Sequence, residues 1–153
     1  MAHIKKKPET LASIVLKYQE LLRLPQSSGS INLKKHYFKV FALIRPTISS
    51  STYQVKFEYQ GGRIPQVWVC GLLSKGTSSS EIPHKFSVDE KKNQVHICLF
   101  RTKYSEFDRQ SSLSKNIIPW TCEWLHFYEL YLITGNWYGN GEHPNGKKRK
   151  TEN

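Results

Sequence analysis

Cys98 lies in a short apolar segment, "VHICLF", that follows the loop "IPHKFSVDEKKN" with its Pro83-His84 pair. A thiol there has two chemistries open to it. Packed among aliphatic neighbours it is a small hydrophobe, since free cysteine is among the most buried residue types. Displayed at the end of a strand it is a nucleophile, which requires partial exposure and an accessible thiolate. Cationic groups beside it would lower its pKa, and the sequence offers His84, His96, Lys91 and Lys92 for that purpose. His84, next to a proline in a loop, can orient that loop, assist proton movement, or be purely structural.

The other two thiols read differently. Cys70 falls in the strand-like run "PQVWVCGLL", where it packs in the sheet as a small hydrophobe, and Cys122 falls inside an aromatic-rich helix. An odd, widely spaced set of three cysteines without a C-x-x-C or Cys/His pattern argues against a disulfide framework and a structural zinc site. Neither a metal nor an organic cofactor is expected.

These side chains must be held by regular elements. "PETLASIVLKYQELLRLP" places Leu11, Ile14, Val15, Tyr18, Leu21 and Leu22 on one helical face, which Pro8 can begin and Pro25 must end. A Ser/Gly-rich turn, "QSSGS", follows. Three strand-like runs come next, Tyr37 to Arg45, Thr52 to Gln60 and Pro65 to Leu73, separated by "RPTISSS" and "QGGRI". Connections this short predict an antiparallel meander. The chain then reads as irregular through "IPHKF" and "DEKKN" up to the cysteine segment. "TKYSEFDRQSSLSKN" is a surface connection with room for a helical turn. The last element, "IIPWTCEWLHFYELYLITG", has Pro119 in a first turn and Gly135 at the C-cap. Trp120, Trp124, Tyr128 and Tyr131 share a face that Leu125 and Leu132 broaden, so this helix is expected to be largely buried, its aromatic stripe serving as core. The sum is one α+β domain over residues 9–140, between basic tails at 1–8 and 141–153.

Composition narrows the function. The 153 residues are 38% hydrophobic, enough for one core, and no run approaches the length of a membrane span or the apolar region of a signal peptide. The expected location is the cytoplasm. A formal charge of +11 invites a nucleic-acid reading, yet seven basic residues sit in two terminal runs, Lys5-Lys6-Lys7 and Lys147-Lys148-Arg149-Lys150. Such runs read first as solvated tails, which puts a nucleic-acid-binding module behind other readings.

The order of helix, meander, irregular segment with a cysteine, and long helix resembles the ubiquitin-conjugating enzyme (UBC) fold. The matching residues are "PQVWV" (Pro65 to Val69), Pro83-His84, "HICLF" (His96 to Phe100) and Pro119-Trp120. A more specific resemblance is to the conjugating-enzyme-like component of CBASS antiphage operons. It is carried by Trp120, Glu123, Trp124, Leu125, Tyr128, Glu129, Thr134, Gly135, Trp137, Gly139, Gly141, His143 and Pro144. That resemblance implies acyl transfer: a thioester on Cys98 with the C-terminus of a cGAS/DncV-like nucleotidyltransferase, passed on to an amine, with His84 as the assisting residue. The chain lacks the length for a fused adenylating domain, so activation falls to a separate activating enzyme or is bypassed. In the UBC pattern an Asn follows the His-Pro pair. Here the order is Pro-His, and the nearest Asn is Asn93. A scaffold of the same fold that only binds the partner, and the nucleic-acid module, are the alternatives.

Overall fold

The computed structural model describes residues 9–75, 77–99 and 112–139. The two basic tails, the stretch 101–111 of the surface connection, and Gly141, His143 and Pro144 lie outside them.

Helix α1 (Leu11–Leu22) starts where the Thr10 hydroxyl accepts the Ser13 N–H at 3.1 Å, and it ends three residues before Pro25. Ile14 and Leu21 are buried, while Leu11 at the helix start is exposed. Lys17 is buried too, because its ammonium reaches the Glu9 carboxylate at 2.5 Å. Ser13, Tyr59 and the Gly62 N–H also donate to that carboxylate.

Six antiparallel strands form one sheet in the order β1-β2-β3-β4-β6-β5. They are β1 (Ser28–Asn32), β2 (Tyr37–Ile44), β3 (Tyr53–Gln60), β4 (Gln66–Cys70), β5 (Lys85–Asp89) and β6 (Gln94–Ile97). Burial alternates residue by residue along β2, the signature of a sheet with one covered face. The register puts Phe38 opposite Tyr59, Val40 opposite Phe57, Val55 opposite Val69, and Val69 opposite Val95, all buried on that face. The other face carries Lys56, Trp68, Cys70, Gln94 and His96.

Two strands contradict the sequence reading. "QSSGS", read as a turn, supplies most of the edge strand β1. Gly29 is there for space: a Cβ would meet the Lys39 carbonyl oxygen at 2.8 Å and the Tyr18 ring at 2.9 Å. The segment read as irregular contains β5, a charged edge strand joined to β6 by a turn in which Asn93 takes φ 52°.

Helix α2 (Ile117–Thr134) begins under an Asn116 side-chain cap, with Pro119 in its first turn, and ends at Gly135 with φ 76°. Trp124, Leu125 and Tyr128 are buried. The helix is not buried to its end, however: Leu132 is 54% and Ile133 81% exposed, because the covered face runs out in the last turn. Before it, a 3-10 turn at Leu113–Lys115 buries Leu113, and Glu20 of α1 holds it by accepting from Ser112, Leu113 and Ser114.

Candidate functional site

Cys98 is the first residue beyond β6, half-buried, at the end of the hairpin opposite the β5–β6 turn. Its backbone N–H donates to the His84 carbonyl at 2.9 Å. The indole N–H of Trp124 donates to the same oxygen at 3.0 Å. One carbonyl therefore ties the cysteine, the residue before β5 and the long helix together.

His84 can present that oxygen because it adopts φ 48°, the left-handed region, at a cost of about 1–2 kcal/mol for a residue with a side chain. Its two accepted hydrogen bonds and the packing of its ring offset the strain. The ring is buried and stacks on Trp137, centroids 4.7 Å apart, and Trp137 in turn meets Trp124 at 5.5 Å. Trp124 stacks on Tyr128 at 5.3 Å. The aromatic residues of α2 and of the turn after it thus reach the cysteine segment through His84. Sequence spacing identified Trp124 as core but gave no signal that its N–H fixes the loop before Cys98.

Of the cationic neighbours suggested by the sequence, the two lysines are carried away from the thiol. Lys91 and Lys92 occupy the β5–β6 turn, a strand length away. His96 lies on the outer sheet face between Trp68, stacked at 4.9 Å, and Phe86 at 4.8 Å. Burial pushes its pKa down to about 4, the Glu58 carboxylate working against this and the Lys56 ammonium with it, so the ring is neutral at pH 7. Asn93 is committed elsewhere. Its side chain accepts the Leu73 N–H at 3.0 Å and donates to Ser74, and its carbonyl accepts from Gly71. It ties the end of β4 to the β5–β6 turn rather than serving the cysteine.

In both other thiols burial holds the proton on sulfur. Cys70 is half-buried within the sheet, though on its polar face; burial raises its pKa against the opposing effects of Lys56 and a Gln94 hydrogen bond. Cys122 packs on the core from α2, and burial raises its pKa as well. Lys56, itself buried, donates to Gln94 at 2.7 Å, pairs with Glu58 at 2.8 Å and lies over the Trp68 ring. Among the described residues no cluster of His, Cys, Asp or Glu is placed to hold a metal ion, and no helix is long and apolar enough to cross a membrane.

A half-buried cysteine at a strand end, on a backbone held by a hydrogen bond, is an arrangement suited to carrying an acyl group. A family model described as "Type II CBASS E2 protein" matches residues 18–144. That span includes the whole sheet, the cysteine segment and α2. No curated protein matches the chain.

Proposed function

The chain belongs to the type II CBASS E2 family, and from that premise we propose that Cys98 is the nucleophile of a conjugating reaction. The family places the protein in the CBASS antiphage system, alongside other CBASS components. In this reading the C-terminal carboxyl of a cGAS/DncV-like nucleotidyltransferase is carried as a thioester on Cys98 and then passed to an amine. The observation that carries the reading is the placement of Cys98 one residue past β6, half-exposed, with its N–H anchored to the His84 carbonyl. A nucleophile must be held close to its attack geometry, and an element end held by a buried residue does that better than a free loop.

His84 acts here as a positioning residue, through its backbone oxygen and its packed ring. Attack by an amine passes through a tetrahedral oxyanion that needs hydrogen-bond donors. The Cys98 N–H and the Asn93 amide are both engaged in this arrangement, so other donors serve that step. Activation of the carboxyl is assigned to a separate activating enzyme, and the acceptor is a lysine amine.

The test is conjugation in cells carrying the operon. Cys98→Ala abolishes the conjugate and phage protection, whereas Cys70→Ala and Cys122→Ala retain both. Conjugation that persists in Cys98→Ala removes the enzymatic reading and leaves a binding scaffold.

A further inference from the structure

A cleft of about 150 Å³ opens beside the cysteine segment. Ile97 and Leu99, the two residues flanking Cys98, both line it. Ile64, Pro65 and Gln66, entering β4, and Phe86 and His96 on the hairpin complete the lining. None of these groups is charged at neutral pH. Phe86 and Ile64 are 38% and 42% exposed, so apolar surface is open to a ligand there rather than sealed in the core. The His96 ring, held between Trp68 and Phe86, gives the cleft a fixed aromatic edge. The volume is of the order that admits a benzene-sized group.

We propose that this cleft receives an apolar side chain from the C-terminal residues of the acyl donor, and so selects which carboxyl Cys98 takes up. The inference rests on the thioester reading above. Its occupant follows from tethering: once the carboxyl is bonded to the Cys98 thiol, the residues just before it lie within about 3.5 Å per residue of that atom. A cleft touching both neighbours of the cysteine is within reach of the last two or three of them. Its uncharged lining favours an aliphatic side chain and penalises a charged one, which would be desolvated without a partner.

The experiment bypasses activation by supplying short peptide thioesters with a small thiol leaving group to the full-length protein. The Cys98 sulfur bonds to the acyl carbon, the original carbon–sulfur bond breaks, and the released thiol takes the proton that Cys98 gives up. Three probes differ only in the residue before a C-terminal Gly: Leu, Glu or Lys. Intact mass gives the acylation rate for each, and iodoacetamide alkylation reports thiol reactivity independently of the cleft. The expected result is acylation at least about tenfold faster with Leu than with Glu or Lys. Phe86→Ser removes most of that preference and leaves the alkylation rate unchanged. Ile64→Lys, at an exposed position, shifts the preference toward Glu and keeps the proposal testable if Phe86→Ser folds poorly. Equal rates for all three probes on the wild type, or a preference unchanged in both variants, overturn the cleft assignment while the thioester reading stands. A Cys98 that alkylates but accepts no acyl probe overturns both.

Discussion

Trp124 carries two separable contributions, its buried ring and its hydrogen bond to the His84 carbonyl, and two substitutions distinguish them. The ring is 3% exposed and packs against Tyr128 and Trp137. Trp124→Ala removes the ring and the bond together and should cost about 3–5 kcal/mol, the usual range for large aromatic truncations in a core. Trp124→Phe keeps a ring in the space and removes the indole donor. The lost hydrogen bond contributes about 1 kcal/mol net, and the smaller ring about 1 kcal/mol more. The His84 carbonyl is not orphaned, because Cys98 still donates to it at 2.9 Å. Trp124→Phe is therefore expected near 2 kcal/mol, read by urea denaturation with an unchanged m-value. A second readout isolates the loop: alkylation of Cys98 under native conditions should rise a few-fold in Trp124→Phe, since one of the two anchors on its segment is gone. Two variants both within 0.5 kcal/mol of wild type would refute the buried, bonded role of Trp124. A full stability loss in Trp124→Phe with no change in Cys98 reactivity would refute the link between helix and cysteine.

His96 makes stability depend on pH. Burial holds its folded pKa at about 4, below the ordinary 6.5, so the unfolded chain binds the proton first as pH falls. Its contribution is fully present above pH 6.5, shrinks as pH falls toward 4, and amounts to no more than about 2 kcal/mol after allowing for solvent screening at a partly exposed ring. His96→Gln should flatten the upper part of that window, whereas losses tied to Glu9 and Glu20 set in only as pH approaches the ordinary carboxyl value of 4.5 and continue below it. Burial works to raise both carboxyls, but hydrogen bonds, from Lys17, Tyr59 and Ser13 to Glu9 and from Ser112 and Ser114 to Glu20, outweigh it and hold both low. Gly135→Ala should cost about 1 kcal/mol by thermal denaturation: among the described residues nothing beyond its immediate chain neighbours comes within 4 Å of the added methyl, leaving the φ of 76° to oppose it. Cys70 and Cys122, both with raised pKa values, should alkylate more slowly than Cys98 at pH 7.5, with peptide mapping assigning each site.

The central meander, both helices and the Trp124–Tyr128 stripe were legible because their periodicities are strong and Pro25, Pro119 and Gly135 mark helix ends. Thr10, Asn116 and Gly135 bound helices whose apolar residues recur at helical spacing. The two edge strands were not legible, for opposite reasons. β1 is small and polar because α1 passes close to Gly29, which mimics a turn in composition. β5 is interrupted by a register shift between Lys85 and Ser87 and carries charge, so it shows no alternation. Of the site, Cys98 at a strand end was readable from "HICLF" and its resemblance. The carbonyl of His84 as anchor was not, since a backbone oxygen leaves no mark on the side-chain sequence. The lysines near Cys98 in sequence are carried away from it by the length of β6, which only the hairpin reveals. Lys17 and Lys56 were likewise illegible as buried residues, because their partners Glu9 and Gln94 meet them only in the folded chain.

Acyl transfer to Cys98 is read directly by intact mass of the purified protein incubated with its operon partners and the activating component. A mass increase equal to the nucleotidyltransferase minus water, lost on treatment with hydroxylamine, absent in Cys98→Ala and converted to a hydroxylamine-resistant ester in Cys98→Ser, is the predicted result. An adduct that survives hydroxylamine in the wild type, or that maps to Cys70 or Cys122, contradicts it.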